Sequence, residues 1–305
     1  MIQVFGHKSP DTDSTGSPII WAWYLSEVKG TPAQAQLLGE PNTEAAFVLR
    51  RWDLPKPGFI ADVAAGADVV IVDTNNPAEL PASINDANIL EIIDHHMLVG
   101  GIKTKSPIAI TMRPLACTAT IMHDLIGSDL DRAPAAIRGA MLSCILSDTL
   151  EFRSPTTTPH DRAVAEKLAA ALGIDIPAYA AELFAAKSDV SAFSDAELLR
   201  MDSKEYTIAG KELRISVLET TSPKVVLDRK ASLMAAMPGV ATEDGADQVL
   251  LFVIDILREE ATLLVPNDLV KTIAEKSFGA TVTGDTVVLP GIMSRKKQII
   301  PSIKL

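Results

Sequence analysis

The sequence places histidine and aspartate side chains directly after three short apolar runs. The first group lies in the stretch VFGHKSPDTDS, residues 4–14. The others end or follow the runs DVVIVD and NILEIID, residues 68–73 and 88–94. Imidazole and carboxylate groups are suited to binding divalent metal ions and to transferring protons. The residues concerned are His7, Asp11, Asp13, Asp73, His95 and His96.

The apolar runs before these residues are short and β-branched, which is typical of β-strands. Their alternation with Ala/Leu-rich stretches predicts an α/β fold, a parallel sheet with helices on both faces. The carboxyl ends of such strands lie at one edge of the sheet, where ligands bind, so the three groups should converge there. Asp148 ends an apolar helical run and can reach the same edge. Helices are predicted around residues 14–28, 42–51, 117–126, 134–147, 160–172 and 177–187.

Four aspartates and two or three histidines in one pocket would repel strongly unless protons or cations neutralised the carboxylates. Divalent metal ions are the simpler solution. Because the set contains no thiolate, it favours Mn²⁺, Mg²⁺ or Co²⁺ over a structural zinc ion. The number of ligands suits two ions about 3.5–4 Å apart, with Asp73 as the bridging carboxylate. The alternative is that the aspartates only cap helices or end strands. This is the better explanation for any one residue taken alone, but not for the whole set.

A chain of 305 residues is expected to form two domains with separate cores. The polar stretch KSDVSAFSD, residues 187–195, is interpreted as a linker, followed by a helix that begins at SDAELL. The predicted domains are therefore residues 1–188 and residues 195–305. The second is a smaller α/β domain with strands in ELRISVLET, DQVLLFVID and ATLLVP and helices near 223–236 and 267–276.

The formal net charge of −11 disfavours a broad nucleic-acid surface, so any polyanion site must be local. One basic cluster occurs, SRKKQ at residues 294–298, and on charge alone it is interpreted as a solvated tail. The N-terminus has no basic segment followed by a long apolar stretch, which predicts a cytoplasmic protein without a signal peptide. The most apolar runs, such as residues 249–257, are shorter than the ~20 residues of a membrane helix.

The remaining candidates are isolated residues. Cys117 and Cys144 lie in apolar helical stretches and are interpreted as core residues rather than nucleophiles. His123 and His160 have no ligand partner at useful spacing and are interpreted as surface or capping residues. No glycine-rich phosphate loop of a common type occurs.

Six motifs together give the chain a specific resemblance. GHKSPDTDS, VDTNNP, DHH, RPLACTATI, SDTLEFRSPTTT and LPGIMSRKKQIIP occur in this order, from His7 to about Pro301. The set resembles the family II inorganic pyrophosphatases of the DHH phosphoesterase superfamily. The resemblance implies an N-terminal DHH domain and a smaller C-terminal domain that closes over it, with the active site in the cleft, and it suggests a homodimer.

The resemblance also implies roles for single residues. Ligands of a first Mn²⁺ ion would be His7, Asp11 and Asp73. Ligands of a second ion would be Asp13, Asp73, His95 and Asp148. The diphosphate substrate would be held by His96, Lys204, Arg295 and Lys296. The implied reaction is hydrolysis of diphosphate to two phosphates by a metal-bridging hydroxide, with His96 beside the leaving phosphate and an additional Mg²⁺ arriving with the substrate.

One part of the sequence departs from the family pattern. Many members read Asp-His-Asn-Glu where this chain has DTNN, so Thr74 and Asn76 replace a histidine and a glutamate near the metals. Groups around the ligands tune metal affinity, so this difference bears on metal preference. Two alternatives stay open: a DHH phosphoesterase acting on short oligonucleotides or cyclic dinucleotides, and a non-catalytic phosphate or metal sensor.

Overall fold

The computed structural model describes residues 1–305 except the side chain of Lys296, which lies outside the described residues. The chain divides into two compact units, Met1–Lys187 and Ser188–Leu305. Each unit has its own β-sheet and its own buried apolar core. Both units are α/β, which confirms the predicted fold class.

A six-stranded sheet forms the centre of the first unit. Its strands are β1 (Ile2–Phe5), β2 (Ala33–Leu37), β3 (Gly58–Phe59), β4 (Asp68–Val72), β5 (Asn88–Asp94) and β6 (Ala109–Met112). Neighbouring strands are parallel, in the order β3-β2-β1-β4-β5-β6. From β1 the chain extends the sheet in one direction to β3, and from β4 it extends the sheet in the other direction to β6. The direction therefore changes between β1 and β4.

The central strands of this sheet are deeply buried, because their β-branched residues are covered on both faces. Val69 and Ile71 of β4 and Ile93 of β5 have no exposed surface. The sequence predicted these strands and β1, but it missed β2, β3 and β6. The missed strands are short and partly exposed, so they lack the apolar run that identifies a buried strand.

The predicted helices of the first unit are present within a few residues of their expected bounds. They are α1 (Thr12–Trp23, continued by a π-helical turn at Tyr24–Val28), α2 (Thr43–Arg51), α3 (Thr118–Ile126), α4 (Ala135–Asp148), α5 (Pro159–Leu172) and α6 (Ile176–Lys187). Asp11 caps α1, and Thr158 begins α5 with a capping box. Among the described residues no single helix is both long and apolar enough to cross a membrane, although the bent pair α5 and α6 passes together on length and composition.

The second unit contains a five-stranded mixed sheet. Its strands are β7 (Ser203–Ile208), β8 (Lys211–Thr220), β9 (Gln248–Asp255), β10 (Glu260–Leu264) and β11 (Thr286–Pro290), in the order β11-β10-β9-β8-β7. Only β8 and β9 pair in parallel. Every residue of β9 is buried, so this strand forms the centre of the core.

The second unit has helices in all three predicted regions, but the region predicted near residues 223–236 contains two helices and extends to residue 243. The helices of this unit are α7 (Asp195–Arg200), α8 (Pro223–Leu227), α9 (Lys230–Glu243), α10 (Asp268–Phe278) and α11 (Ile300–Ser302), which a π-helical turn at Arg295–Ile299 precedes. Ser194 and Glu197 form the capping box of α7, which confirms the helix start predicted from SDAELL. The basic cluster at residues 294–298 therefore overlaps a helical turn.

Candidate metal centre

Three loops at the carboxyl ends of β1, β4 and β5 carry the candidate ligands. His7 follows β1, Asp73 follows β4 and His95 follows β5. These strands are neighbours in the sheet, and the strand order reverses between the first two. A crevice at such a reversal is where open α/β sheets bind ligands, because the loops on either side diverge. The structure thus brings together the groups that the sequence predicted to converge.

The first set of close polar groups is formed by His7, Asp11 and Asp73. Nε2 of His7 lies 3.5 Å from Oδ2 of Asp73 and 3.8 Å from Oδ1 of Asp11. Oδ1 of Asp11 also accepts a hydrogen bond of 2.9 Å from the N–H of Ser14 at the start of α1. Burial alone would raise the pKa of Asp11, but hydrogen bonds from His7 and Ser14 lower it. Asp11 is therefore a helix cap and a candidate ligand at once.

Close packing holds the His7 loop against the start of α1. The N–H of His7 donates to Oγ of Ser14 over 2.7 Å. A Cβ atom at Gly6 would lie 2.0 Å from this same oxygen, so only glycine fits at the position. The backbone at His7 is therefore held close to the start of α1.

His95 faces the other oxygen of Asp73. Its Nε2 lies 3.4 Å from Oδ1 of Asp73, and its Nδ1 lies 3.2 Å from the carbonyl oxygen of Leu115. An Nδ1–H that donates to this carbonyl leaves Nε2 unprotonated and aimed at Asp73. That orientation suits a metal ligand.

His96 is held differently from its neighbour. Its Nδ1 lies 2.9 Å from Oδ1 of Asp94 and 3.9 Å from Oδ1 of Asp73, and its side chain is 52% exposed. The hydrogen bond with Asp94 raises the pKa of His96. Asp94 also accepts hydrogen bonds from the backbone N–H groups of His95 and His96 and from Nδ2 of Asn75. Asp94 and Asn75 therefore organise this loop, although the sequence analysis gave neither a role.

Asp73 is the central residue of the cluster. It is 1% exposed, and its two carboxylate oxygens face His7 and His95 on opposite sides. The hydroxyl of Thr118 donates to its Oδ1 over 3.1 Å. Burial, followed by the charges of Asp13 and Asp11, raises the pKa of Asp73 well above its ordinary value. The backbone of Asp73 has a φ of 58°, an uncommon conformation for a residue other than glycine.

A third set of groups consists of Asp13, Cys117 and Asp148, whose ligand atoms lie within 4.8 Å of one another. Asp13 accepts hydrogen bonds from Oγ of Ser17, at 2.6 Å, and from the N–H of Thr118, at 2.7 Å. Burial and the charge of Asp13 raise the pKa of Asp148 well above its ordinary value. Cys117 is fully buried, as predicted for a core residue, but it lies beside two carboxylates rather than in a purely apolar region.

The chemistry of this cluster fits divalent cations. Oδ2 of Asp148 is buried and has no hydrogen-bond partner among the described residues, which is costly for a carboxylate oxygen without a cation. Oxygen and imidazole donors predominate, a set that suits Mn²⁺ and its neighbours in the first transition row. Asp73 belongs to two groups of close ligand atoms, one with His7 and Asp11 and one with His95 and His96, which suits a shared ligand. The unpaired oxygen and the raised pKa values are both relieved when cations bind.

The basic residues implied by the resemblance all belong to the second unit. Lys204 lies on β7. Arg295 donates from Nη1 to the carbonyl oxygen of Asp202, at 2.6 Å, and from Nη2 to the carboxylate of the same residue, at 2.8 Å. The Lys296 side chain lies outside the described residues. The contacts of these basic residues are described only within the second unit. Their role in binding substrate stays a prediction.

The two remaining histidines share one partner. Nε2 of His160 lies 2.9 Å from Oδ1 of Asp124, and Nδ1 of His123 lies 3.3 Å from the same oxygen. Arg113 also donates to Asp124, at 2.8 Å. His160 is on the surface, as predicted, but both histidines bind one carboxylate that sequence spacing did not reveal.

Fold and site together define a two-domain protein of the DHH class. The DHH family N-terminal domain matches residues 1–148, and the DHHA2 domain matches residues 181–305. A Deinococcus radiodurans protein named "probable manganese-dependent inorganic pyrophosphatase" is 39% identical over 100% of this chain and 98% of its own length. A Lactiplantibacillus plantarum protein of the same name is 35% identical over 98% and 96%. The chain therefore belongs to the manganese-dependent inorganic pyrophosphatase family.

The solved structures agree with this assignment. A crystal structure of a Methanococcus jannaschii protein, named "putative family II inorganic pyrophosphatase", is 32% identical to this chain. It covers 99% of this chain and 98% of its own length, with a TM-score of 0.61. The likeness thus extends over both units, in agreement with the resemblance seen in the sequence motifs.

Proposed function

We propose that this protein is an inorganic pyrophosphatase, a hydrolase that cleaves the phosphoanhydride bond of diphosphate to give two phosphates. The observation that carries the proposal is Asp73, a buried carboxylate with one oxygen facing His7 and the other facing His95. This arrangement suits a carboxylate that bridges two divalent ions. Full-length relatives named as manganese-dependent inorganic pyrophosphatases support both the reaction and the metal.

Mn²⁺ is the proposed cofactor, with two ions per chain and Co²⁺ or Mg²⁺ as possible replacements. His7, Asp11 and Asp73 would hold one ion. Asp13, Asp73, His95 and Asp148 would hold the other. When bound, the ions would supply positive charge for the phosphate oxygens and lower the pKa of a bound water. Observed support comes from the short distances among His7, Asp11 and Asp73, from the approach of His95 to Asp73, and from the oxygen of Asp148 that lacks a hydrogen-bond partner among the described residues.

The protein side chains bind and orient the substrate in this proposal. The His96 side chain is half-exposed, and its Nδ1 is hydrogen-bonded to Asp94. Its Nε2 is therefore left to bind a phosphate oxygen. Lys204, Arg295 and Lys296 supply further positive charge to the diphosphate. Positioning and charge neutralisation are the main needs of phosphoryl transfer, since the transition state spreads negative charge over several oxygens. An additional Mg²⁺ accompanies the substrate.

Two properties of the whole protein belong to the same proposal. It acts in the cytoplasm, where its two cysteines stay reduced, as the free thiols of Cys117 and Cys144 permit. It forms a homodimer, as the resemblance suggests. Light scattering coupled to size-exclusion chromatography gives the mass in solution. A mass near the 32.5 kDa of one chain would contradict the dimer.

Phosphate release from diphosphate tests the function directly. Metal-stripped protein is supplemented in turn with Mn²⁺, Co²⁺, Mg²⁺ and Zn²⁺, and phosphate is measured over time. We expect the fastest release with Mn²⁺ or Co²⁺ and none without metal. A parallel assay offers a short oligonucleotide and a cyclic dinucleotide. Faster hydrolysis of either would instead support another DHH phosphoesterase activity, and binding of diphosphate without turnover would support a sensor.

A further inference from the structure

We propose that Glu79 is a positioning residue that links the loop carrying His7 to the loop carrying Asp73. The inference rests on the function proposed above and concerns how the first ion site is held. Glu79 ends a short 3-10 turn, Pro77–Glu79, that follows the Asp73 loop. Two different groups of this residue, its carboxylate and its carbonyl, bond to the two loops.

The carboxylate of Glu79 bonds to the residue after Asp73. Oγ1 of Thr74 donates to Oε2 of Glu79 over 2.7 Å. The same hydroxyl accepts from the N–H of Asn76 at 3.1 Å, so the Thr74 side chain uses both its donor and an acceptor site. Thr74 is 1% exposed, so its hydroxyl depends on protein groups for its hydrogen bonds in this structure. Hydrogen bonds to an ionised carboxylate are stronger than those between neutral groups.

The carbonyl of Glu79 bonds to the residue after His7. The N–H of Lys8 donates to this oxygen over 2.9 Å. Nζ of Lys8 adds a longer contact of 3.4 Å to the carbonyl of Ala78 in the same turn. The turn therefore connects to the β1 loop through the main chain and to the β4 loop through a side chain.

Both bonds end one residue away from a candidate ligand. Nε2 of His7 and Oδ2 of Asp73 lie 3.5 Å apart, so small movements of either loop change the geometry that an ion meets. The positive φ of Asp73 must be maintained by its surroundings, because this conformation is unfavourable for aspartate on its own. Glu79 provides part of that restraint. A functional site needs its groups held within about 0.5 Å, which such outer bonds achieve.

The alternative is that Glu79 is an ordinary surface carboxylate, since the residue is exposed. Its buried partner argues against this alternative, as does its place beside the site. Glu79 lines a cavity of about 540 Å³ together with His7, Thr74 and His96.

Mn²⁺ titration of metal-free protein tests the inference without using activity. Thr74→Val removes the hydroxyl with little change in size, and Glu79→Ala removes the carboxylate from an exposed position. We expect each variant to raise the dissociation constant for Mn²⁺ about 10–100-fold, the usual effect of removing an outer partner of a ligand. Thr74→Ser keeps the hydroxyl and should bind Mn²⁺ as the wild type does. Calorimetry or the electron paramagnetic resonance signal of free Mn²⁺ gives the constants.

A matched control is available in the second unit. Oγ1 of Thr207 donates to Oε1 of Glu212 over 2.8 Å, so Thr207→Val removes the same kind of bond far along the chain. It should leave Mn²⁺ affinity unchanged. Wild-type affinity in both Thr74→Val and Glu79→Ala would overturn the inference, as would a loss of affinity that Thr74→Ser shares. Wild-type protein that binds Mn²⁺ but fails to hydrolyse diphosphate would overturn the proposed function instead.

Discussion

The backbone N–H of Thr118 donates to Oδ2 of Asp13 over 2.7 Å, across 105 residues of sequence. The hydroxyl of Thr118 donates to Asp73 as well, so one residue at the start of α3 orients two candidate ligands. N–H groups at a helix start favour anions, which explains why a carboxylate lies there. The helix start therefore belongs to the support of the metal centre.

Thr118→Val should weaken metal binding while leaving the fold intact. Valine keeps the backbone N–H to Asp13 but removes the hydroxyl that bonds to Asp73. Loss of such an outer partner typically costs 10–100-fold in metal affinity, and the Mn²⁺ dissociation constant measures it. Thr118→Ser retains the hydroxyl and is the control. Equal affinity in the valine and serine variants would contradict a role for this bond.

Asp73→Asn should have opposite effects on the metal-free and the metal-bound protein. Burial and neighbouring charges raise the pKa of Asp73, so its ionised form costs stability at neutral pH. The neutral amide should therefore raise the melting temperature without metal and abolish the stabilisation that Mn²⁺ provides. Differential scanning fluorimetry with and without Mn²⁺ measures both. Normal stabilisation by Mn²⁺ in the variant would contradict the bridging role.

His95→Gln and His96→Gln should separate metal binding from catalysis. Nε2 of His95 faces Asp73, whereas His96 is half-exposed and held by Asp94. We expect His95→Gln to lose metal and His96→Gln to keep it while hydrolysing diphosphate more slowly. Elemental analysis after desalting, beside a phosphate-release assay, distinguishes the two. The reverse result would exchange the assignments.

Arg295→Ala should impair both substrate binding and turnover with metal content unchanged. Arg295 is proposed to meet the phosphates as they bind and as charge develops, so KM should rise and kcat should fall together. Removal of one donor of this kind costs about 10²-fold. Arg258, in the same unit and 76% exposed, provides the control variant Arg258→Ala. Wild-type kinetics in Arg295→Ala would favour the solvated-tail interpretation of residues 294–298.

Asp124→Asn should destabilise the protein in a pH-dependent way. Burial would raise the pKa of Asp124, but hydrogen bonds with His160 and His123 lower it. A lowered carboxyl pKa contributes stability above the unfolded value of about 3.9, and this contribution is lost as pH falls through the folded value. We expect the variant to be less stable by about 0.5–1 kcal/mol at pH 7.

Urea midpoints measured from pH 7 down to pH 3 check this prediction. The difference between Asp124→Asn and wild type should begin to shrink as the pH falls below about 4, because the carboxyl of the unfolded wild type then binds a proton that the folded protein, with its lowered pKa, binds only at lower pH. Asp131→Asn, at an exposed position nearby, is the control and should change little. A difference in urea midpoint that stays constant from pH 7 to pH 3 would mean that the charge of Asp124 does not contribute to stability.

The sequence predicted the parts of the fold that have strong periodicity. The buried strands β1, β4 and β5 and helices α1 to α6 appear close to their expected bounds. Strand β3 has only two residues, and β2 alternates alanine and glutamine, so neither presents an apolar run. Both strands form because the sheet offers them neighbouring strands to pair with, β2 on two sides and β3 on one, and local sequence pattern does not contain such tertiary effects.

The site shows a similar division. The loops that carry His7, Asp73 and His95 could be placed together because parallel strands share one edge. Bonds between distant residues could not be predicted in this way. Thr118 reaches Asp13 and Cys117 lies beside Asp148 only because α3 and α4 pack against α1, and no spacing in the sequence encodes those contacts.

Gly6 limits how this loop can evolve. Every single-nucleotide change that replaces a glycine codon by another amino acid introduces a Cβ atom, and here that atom would lie 2.0 Å from Oγ of Ser14. Ser14 could yield only by giving up its hydrogen bond with His7. Position 6 therefore offers no neutral mutational path of its own. Variation there requires a second, compensating change at position 14.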